Sequence, residues 1–159
     1  MPTIKAAGGG EADLSLDQAE THMLRQLTAE MRALLATDID TADDPVLRRL
    51  YPDAYEKPED EADYRGLIGD DLEKEKLAAL DTVSTALGTQ NTEVRLSGEA
   101  IDAWLGCLTD LRLAIGTRLD VDEERMGAQI NQDDPDAAAL SVLHWLGWLQ
   151  EEILRTVQT

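Results

Sequence analysis

The chain has 159 residues, 43% of them apolar, which suits one domain with a real core. A formal net charge of −19 repels phosphate backbones and anionic lipid, arguing against direct nucleic-acid or membrane-surface binding outside a local basic patch. A single cysteine excludes an intramolecular disulfide, and the N-terminus lacks a charged-then-apolar leader, so a cytoplasmic, soluble protein is expected.

Thr3–Ala7 and Glu11–Leu14 flank Gly8-Gly9-Gly10 and read as a small hairpin. Ser15 then has the place of a helix N-cap, with Gln18 as its capping-box partner. Leu16, Ala19, Met23, Leu24, Leu27, Met31, Leu34 and Leu35 recur at helical spacing and predict one buried face. That helix fades near Thr37–Asp40.

The segment Asp44–Tyr55 carries dense chemistry. Pro45 and Pro52 bracket a short helical turn with Arg48, Arg49, Tyr51, Tyr55, Asp44 and Asp53. Consecutive arginines cannot share a helical face. Arg48, Arg49, Tyr51 and Tyr55 are candidate contacts for an acidic partner surface or a phosphate. The preferred reading of the arginines is a solvated pair balancing Asp43, Asp44 and Asp53. An acidic connector, Glu56–Asp63, leads to a short helix from near Glu59. Gly66 and Gly69 separate this from a long helix, Leu72–Leu87, with Leu72, Ala79, Leu80, Val83 and Leu87 inward. Gly88–Asn91 is a turn.

Glu93–Leu96 alternates like a strand and runs into Ser97, a second expected N-cap. The next helix has the clearest stripe: Ile101, Trp104, Leu105, Leu108, Leu111, Ile115 and Leu119. Arg112 lies on the edge of that stripe, and a buried guanidinium needs a partner. Asp44 and Asp53 are the candidates for a structural ion pair; an anion or ligand site is the functional alternative. Thr109, Asp110, Thr117 and Arg118 could extend either version. Cys107 sits on the Trp104–Leu111 side and reads as a small core residue. After an acidic loop, Asp120–Asp136, Pro135 marks a helix start. The last helix, about Ala137 to Val157, turns Leu140, Leu143, Trp145, Leu146, Leu149 and Ile153 inward. Trp148 widens its apolar arc, making Trp148 a candidate partner contact and a homodimer through this helix an expectation.

The two strand-like runs ending at Leu14-Ser15 and Leu96-Ser97 each lead into a helix. Their strands could pair into one small sheet, though chance similarity explains the echo as well. Catalytic readings fail. His22 and His144 have no metal-ligand spacing around them. Asp120-x-Asp122-x-Glu124 lacks the glycine and the terminal glutamate of a calcium loop. Cys107 has no activating neighbour, and no Gly-rich phosphate loop follows a strand. No metal, cofactor or enzymatic activity is expected.

Asp44-Pro-Val-Leu-Arg-Arg-Leu-Tyr-Pro-Asp-Ala-Tyr55, Asp110-Leu-Arg-Leu-Ala-Ile-Gly-Thr-Arg-Leu119 and Trp145-Leu-Gly-Trp-Leu-Gln150 together resemble an actinobacterial family defined as a domain of unknown function. The likeness runs from about Leu14 to Val157. Family genes neighbour the adaptor of the Clp protease and a sulfur-carrier cysteine synthesis cluster. Some members are transcriptional regulators that respond to oxidative stress and act with a sigma factor. The resemblance implies a regulatory, non-enzymatic role and supplies no catalytic residues. A sensor working through an internal disulfide needs two cysteines, so here any redox switch would fall on Cys107 through a mixed or intermolecular disulfide.

The expected fold is mainly α: a single domain, residues 1–159, built as a bundle of about four long helices with a small two- or three-stranded antiparallel sheet near the N-terminus. The expected function is a regulator acting through protein–protein contacts, with a sigma factor or other transcription component as partner. An accessory factor of Clp-type proteolysis is the alternative, and a carboxylate-based hydrolase ranks last.

Overall fold

The computed structural model describes residues 2–35, 74–119 and 135–158. The Asp44–Tyr55 segment, with Arg48, Arg49, Tyr51, Tyr55, Asp44 and Asp53, lies outside these residues, as do the acidic connector and most of the Asp120–Asp136 loop.

Strands β1 (Thr3–Gly8) and β2 (Glu11–Leu16) form the expected hairpin, with Ile4 opposite Leu14. The reversal uses positive φ at Gly8, Gly9 and Gly10, a region that side chains with a Cβ disfavour. Strand β3 (Thr92–Leu96) pairs antiparallel with the free edge of β2, Leu14 facing Val94, so β2 is central. Ala12, Leu14 and Leu16 alternate into the core, the period-two signature of a sheet with one covered face. The two strand–helix units therefore join through β2 and β3.

Helix α1 (Gln18–Leu35) opens two residues later than the Ser15 signal implied. The backbone N–H of Asp17 donates to Oε1 of Glu20 (3.0 Å), and the N–H of Glu20 donates to Oδ1 of Asp17 (2.8 Å). This is the same reciprocal capping box, carried by Asp17 and Glu20. Ser15 cannot cap because it is still in β2, opposite Thr3 and Glu93. The buried stripe of α1 is Thr21, Leu24, Thr28, Met31 and Leu35. Ala19, expected inward, is exposed, because at 100° per residue it lies on the far side from Leu24.

Helix α2 covers residues 74–86 of the described chain, with Leu80 and Val83 buried and Leu87 closing the core just beyond it. Helix α3 (Glu99–Arg118) is capped at Gly98, with φ 48°, rather than at Ser97. The Ser97 carbonyl accepts the N–H of Ala100 (2.9 Å) instead. Helix α4 (Ala137–Val157) begins just after Pro135, its N-cap being Asp136. α4 packs along α3 and against β1 and β2, while α1 packs on α3. One continuous core results, drawing Leu14, Leu24, Val83, Trp104, Leu108 and Leu146 from five elements. The described residues thus form four helices and a small three-stranded antiparallel sheet, the mainly α class expected.

Candidate functional site

The seam between α3 and α4 is where two of the three sequence motifs meet. Arg112, half-buried on α3, lays its guanidinium over Gly147 of α4. Its Nη1 donates to Oε1 of Gln150 (2.9 Å). Gln150 is fixed in turn: its Nε2 donates to the carbonyl of Leu105 (3.3 Å) and to Oγ1 of Thr109. The Thr109 hydroxyl closes the chain by donating to the Leu105 carbonyl at 2.9 Å. A charged donor, an amide and a hydroxyl therefore lock two long helices at one level. Two buried nitrogens nearby have no hydrogen-bond partner, Nε of Arg112 and Nε2 of His144.

The expected carboxylate partners of Arg112, Asp44 and Asp53, lie outside the described residues. Among the described residues Arg112 is held by Gln150, which its position on the stripe edge did not announce. Gly147, a glycine inside an apolar helix, was the sequence signal for a close approach at this seam.

A second polar contact joins α2 to α3. Lys76 Nζ stands 3.0 Å from Oδ1 of Asp110, both side chains largely buried. Burial pushes the Asp110 carboxyl up, and Lys76 offsets part of that shift. Above this pair runs an open groove of about 540 Å³ between the two helices. Glu75, Glu99, Asp102 and Asp110 line it against Lys76, and Ala78, Ala79, Ala103 and Gly106 give it a low floor.

Cys107 is buried, and burial together with the neighbouring Asp110 charge pushes its thiol up to about 12. A thiol so placed is not a thiolate at neutral pH, the form that oxidants attack. Arg95, which an exposed basic patch would need, makes a two-point pair across strands with Asp13 (2.8 and 3.0 Å). That pair holds the Asp13 carboxyl below its usual range. Trp148 is half-buried and packs against the core, as does Trp145. His22 is exposed and isolated from His144 in sequence and element. Among the described residues no group of His, Cys, Asp and Glu is placed to hold a metal ion, and no helix is long and apolar enough to cross a membrane.

Comparison with known proteins gives a consistent picture. Residues 1–157 match the family described as "Domain of unknown function (DUF2017)". Proteins named "Oxidative stress regulator AosR" from Mycobacterium tuberculosis (strain H37Rv) and Mycobacterium bovis are each 29% identical over 126 residues, covering 70% of this chain and 57% of theirs. The chain thus spans somewhat over half the length of these curated relatives. No solved structure matches. With the family match running through both halves of the Arg112–Gln150 seam, the chain belongs to the DUF2017 family.

Proposed function

We propose that this chain is a non-enzymatic regulatory protein of an oxidative-stress response, acting by direct contact with another protein. The observation that carries this reading is the name its mycobacterial relatives share, oxidative stress regulator, across 70% of this chain. The geometry adds a surface on which a partner could sit. The α2–α3 groove has four carboxylates to one ammonium and a floor of small residues that lets a partner backbone approach closely. In a chain of net charge −19 such a surface favours a basic partner and speeds encounter with it. A sigma factor or another transcription component with an exposed basic helix fits that chemistry. Arg48, Arg49, Tyr51, Tyr55 and Trp148 are further candidate contacts.

Affinity capture from native lysate of the source bacterium, with and without peroxide, tests the reading. The comparison set is wild type, Glu99→Lys/Asp102→Lys and Arg48→Ala/Arg49→Ala. A transcription component retained by wild type and lost in the groove variant is expected. Recovery of Clp protease components instead would shift the reading to regulated proteolysis. A partner list untouched by both variants would remove both surfaces from the case.

A further inference from the structure

We propose that the groove between α1 and α2 docks an acidic helix of another protein, held at its two ends by Arg25 and Arg32. The groove is open, about 470 Å³, and is lined by Arg25, Thr28, Ala29, Arg32, Ala33 and Ser84. It shares no lining residue with the acidic α2–α3 groove, and the inference does not depend on the reading of that surface. In a chain with 33 acidic residues and 14 basic ones, this lining has two guanidiniums and no carboxylate.

The two arginines frame the groove. Arg25 and Arg32 are seven positions apart on α1, so they share a face at about 10 Å along the axis. Each reaches across the seam toward α2. Arg25 Nη1 donates to the carbonyl of Gly88, just past the end of α2 (2.8 Å), and Arg32 Nη2 donates to Oδ1 of Asp81 (2.5 Å). Ser84 stands between these two anchor points. A carbonyl has no net charge, and among the described residues Arg25 pairs with no carboxylate. Asp81 meets Arg32 through one nitrogen, with both side chains exposed, a pairing that contributes little by itself. Each guanidinium thus keeps most of its five donors for a further acceptor.

The floor decides the kind of anion. Ala29, Ala33 and Ser84 are small. The Thr28 hydroxyl is engaged inside its own helix, donating to the carbonyls of Leu24 (2.9 Å) and Arg25 (3.0 Å). A small polar molecule finds little there to hold it. A helix fits better, because small side chains let its axis approach to about 8–10 Å, the spacing of packed helices. Asp or Glu residues seven positions apart on that helix match the spacing of the guanidiniums and meet each in a forked pair. A phosphodiester strand, charged at every nucleotide, meets the repulsion of the whole −19 chain. Two carboxylates in contact with guanidiniums act well inside the screening length of about 8 Å at physiological salt.

The test is titration of the full chain with an alanine-rich helical peptide carrying two glutamates seven positions apart, at constant ionic strength. Proton–nitrogen NMR follows the backbone amides. A saturable shift centred on α1 and α2 is expected, with a Kd on the order of 1 mM. The same peptide with glutamines should bind about fivefold more weakly or worse, and so should the glutamate peptide to Arg25→Gln/Arg32→Gln, the scale of two exposed charge pairs. Ala29→Glu places a carboxylate one turn from each arginine and should weaken binding equally. Ala29 is exposed, so this variant serves even if the arginine variant fails to fold. A drift that never saturates overturns the proposal, as does binding that the glutamine peptide or Ala29→Glu leaves intact. Stronger shifts of the same amides with a thymidine oligonucleotide would assign the groove to a phosphodiester and overturn it. Shifts of those amides with concentration of the chain alone, with a dimer in light scattering, would assign it to a second copy and equally overturn it.

Discussion

Arg112 lies flat across the backbone of Gly147: its Cζ and Nη2 are 3.3 Å, and its Nε 3.4 Å, from where a Cβ at 147 would stand. At that distance a Cβ would press on the guanidinium, and the residue beneath has none. Gly147 is thus the counterpart of Arg112, and Gln150, one turn on, fixes where the guanidinium rests.

Gly147→Ala separates two opposing effects. Alanine in a helix interior is favoured over glycine by about 1 kcal/mol. The added methyl would stand 3.3 Å from the guanidinium, which must give by a few tenths of an ångström and so strain its bond to Gln150, a charged hydrogen bond of about 1.5–3 kcal/mol. The expected result is a net loss of about 1 kcal/mol in wild type and a gain of about 1 kcal/mol in an Arg112→Ala background. Urea unfolding of the four proteins in this double-mutant cycle measures it. The same sign in both backgrounds would show that Gly147 has no steric role.

Gly88 is the less forgiving glycine. A Cβ there would lie 2.1 Å from the carbonyl oxygen of Asn91, which is backbone and cannot swing away. The same turn ties α1 to β3. Arg25 Nη1 donates to the Gly88 carbonyl (2.8 Å), the Gly88 N–H donates to Oγ1 of Thr92 (3.1 Å), and the buried hydroxyls of Thr92 and Thr21 meet at 2.9 Å. Gly88→Ala should cost about 3 kcal/mol, the upper range for a single change, read as a lowered thermal midpoint. Gly106→Ala on α3 is the control; nothing lies within 4 Å of its Cβ position, and a small gain is expected.

These contacts mark where the sequence stops being legible. The hairpin at Gly8–Gly10 and the stripes of α3 and α4 follow from local conformation and from burial of periodic apolar positions, so they can be read directly. Cap placement at α1 was shifted because Ser15-x-x-Gln18 and Asp17-x-x-Glu20 carry nearly the same signal. Only the pairing of Ser15 in β2 decides between them. Arg112 stood out as a charge beside an apolar stripe. Its hold on Gln150, over Gly147, is a long-range relation between helices that no local pattern encodes. The pairing of Lys76 with Asp110 was missed for the same reason: both residues are ordinary surface types in sequence, and only helix packing buries them.

Cys107 should behave as a core atom. Burial, with Asp110 adding to it, pushes the thiol up to about 12, leaving almost no thiolate at neutral pH. Iodoacetamide and peroxide are expected to leave Cys107 unmodified in the folded chain over times in which the urea-unfolded chain reacts fully. Mass spectrometry of the intact protein measures both. Rapid modification of the folded chain would mean that the helices around α3 open on that timescale, and would restore Cys107 as the redox candidate.

The Lys76–Asp110 pair sets a pH dependence whose sign can be worked out. Burial raises the Asp110 carboxyl above its ordinary 3.8, and Lys76 offsets this only in part. The folded chain therefore keeps that proton to higher pH than the unfolded chain. Between 3.8 and the raised value the folded state binds more protons, so the contribution of Asp110 to stability falls as pH rises through that window. Asp13 runs the opposite way: its lowered carboxyl contributes stability above 3.8 that is lost as pH falls through its folded value, an effect screened by exposure. Asp110→Asn removes the first contribution and leaves the second. The stability difference, variant minus wild type, should thus grow from about pH 4 upward in urea unfolding. Lys76→Met, which removes the offsetting charge, should extend the window to higher pH. A difference that shrinks as pH rises would place the Asp110 carboxyl below 3.8 and make the ion pair, not burial, the dominant influence.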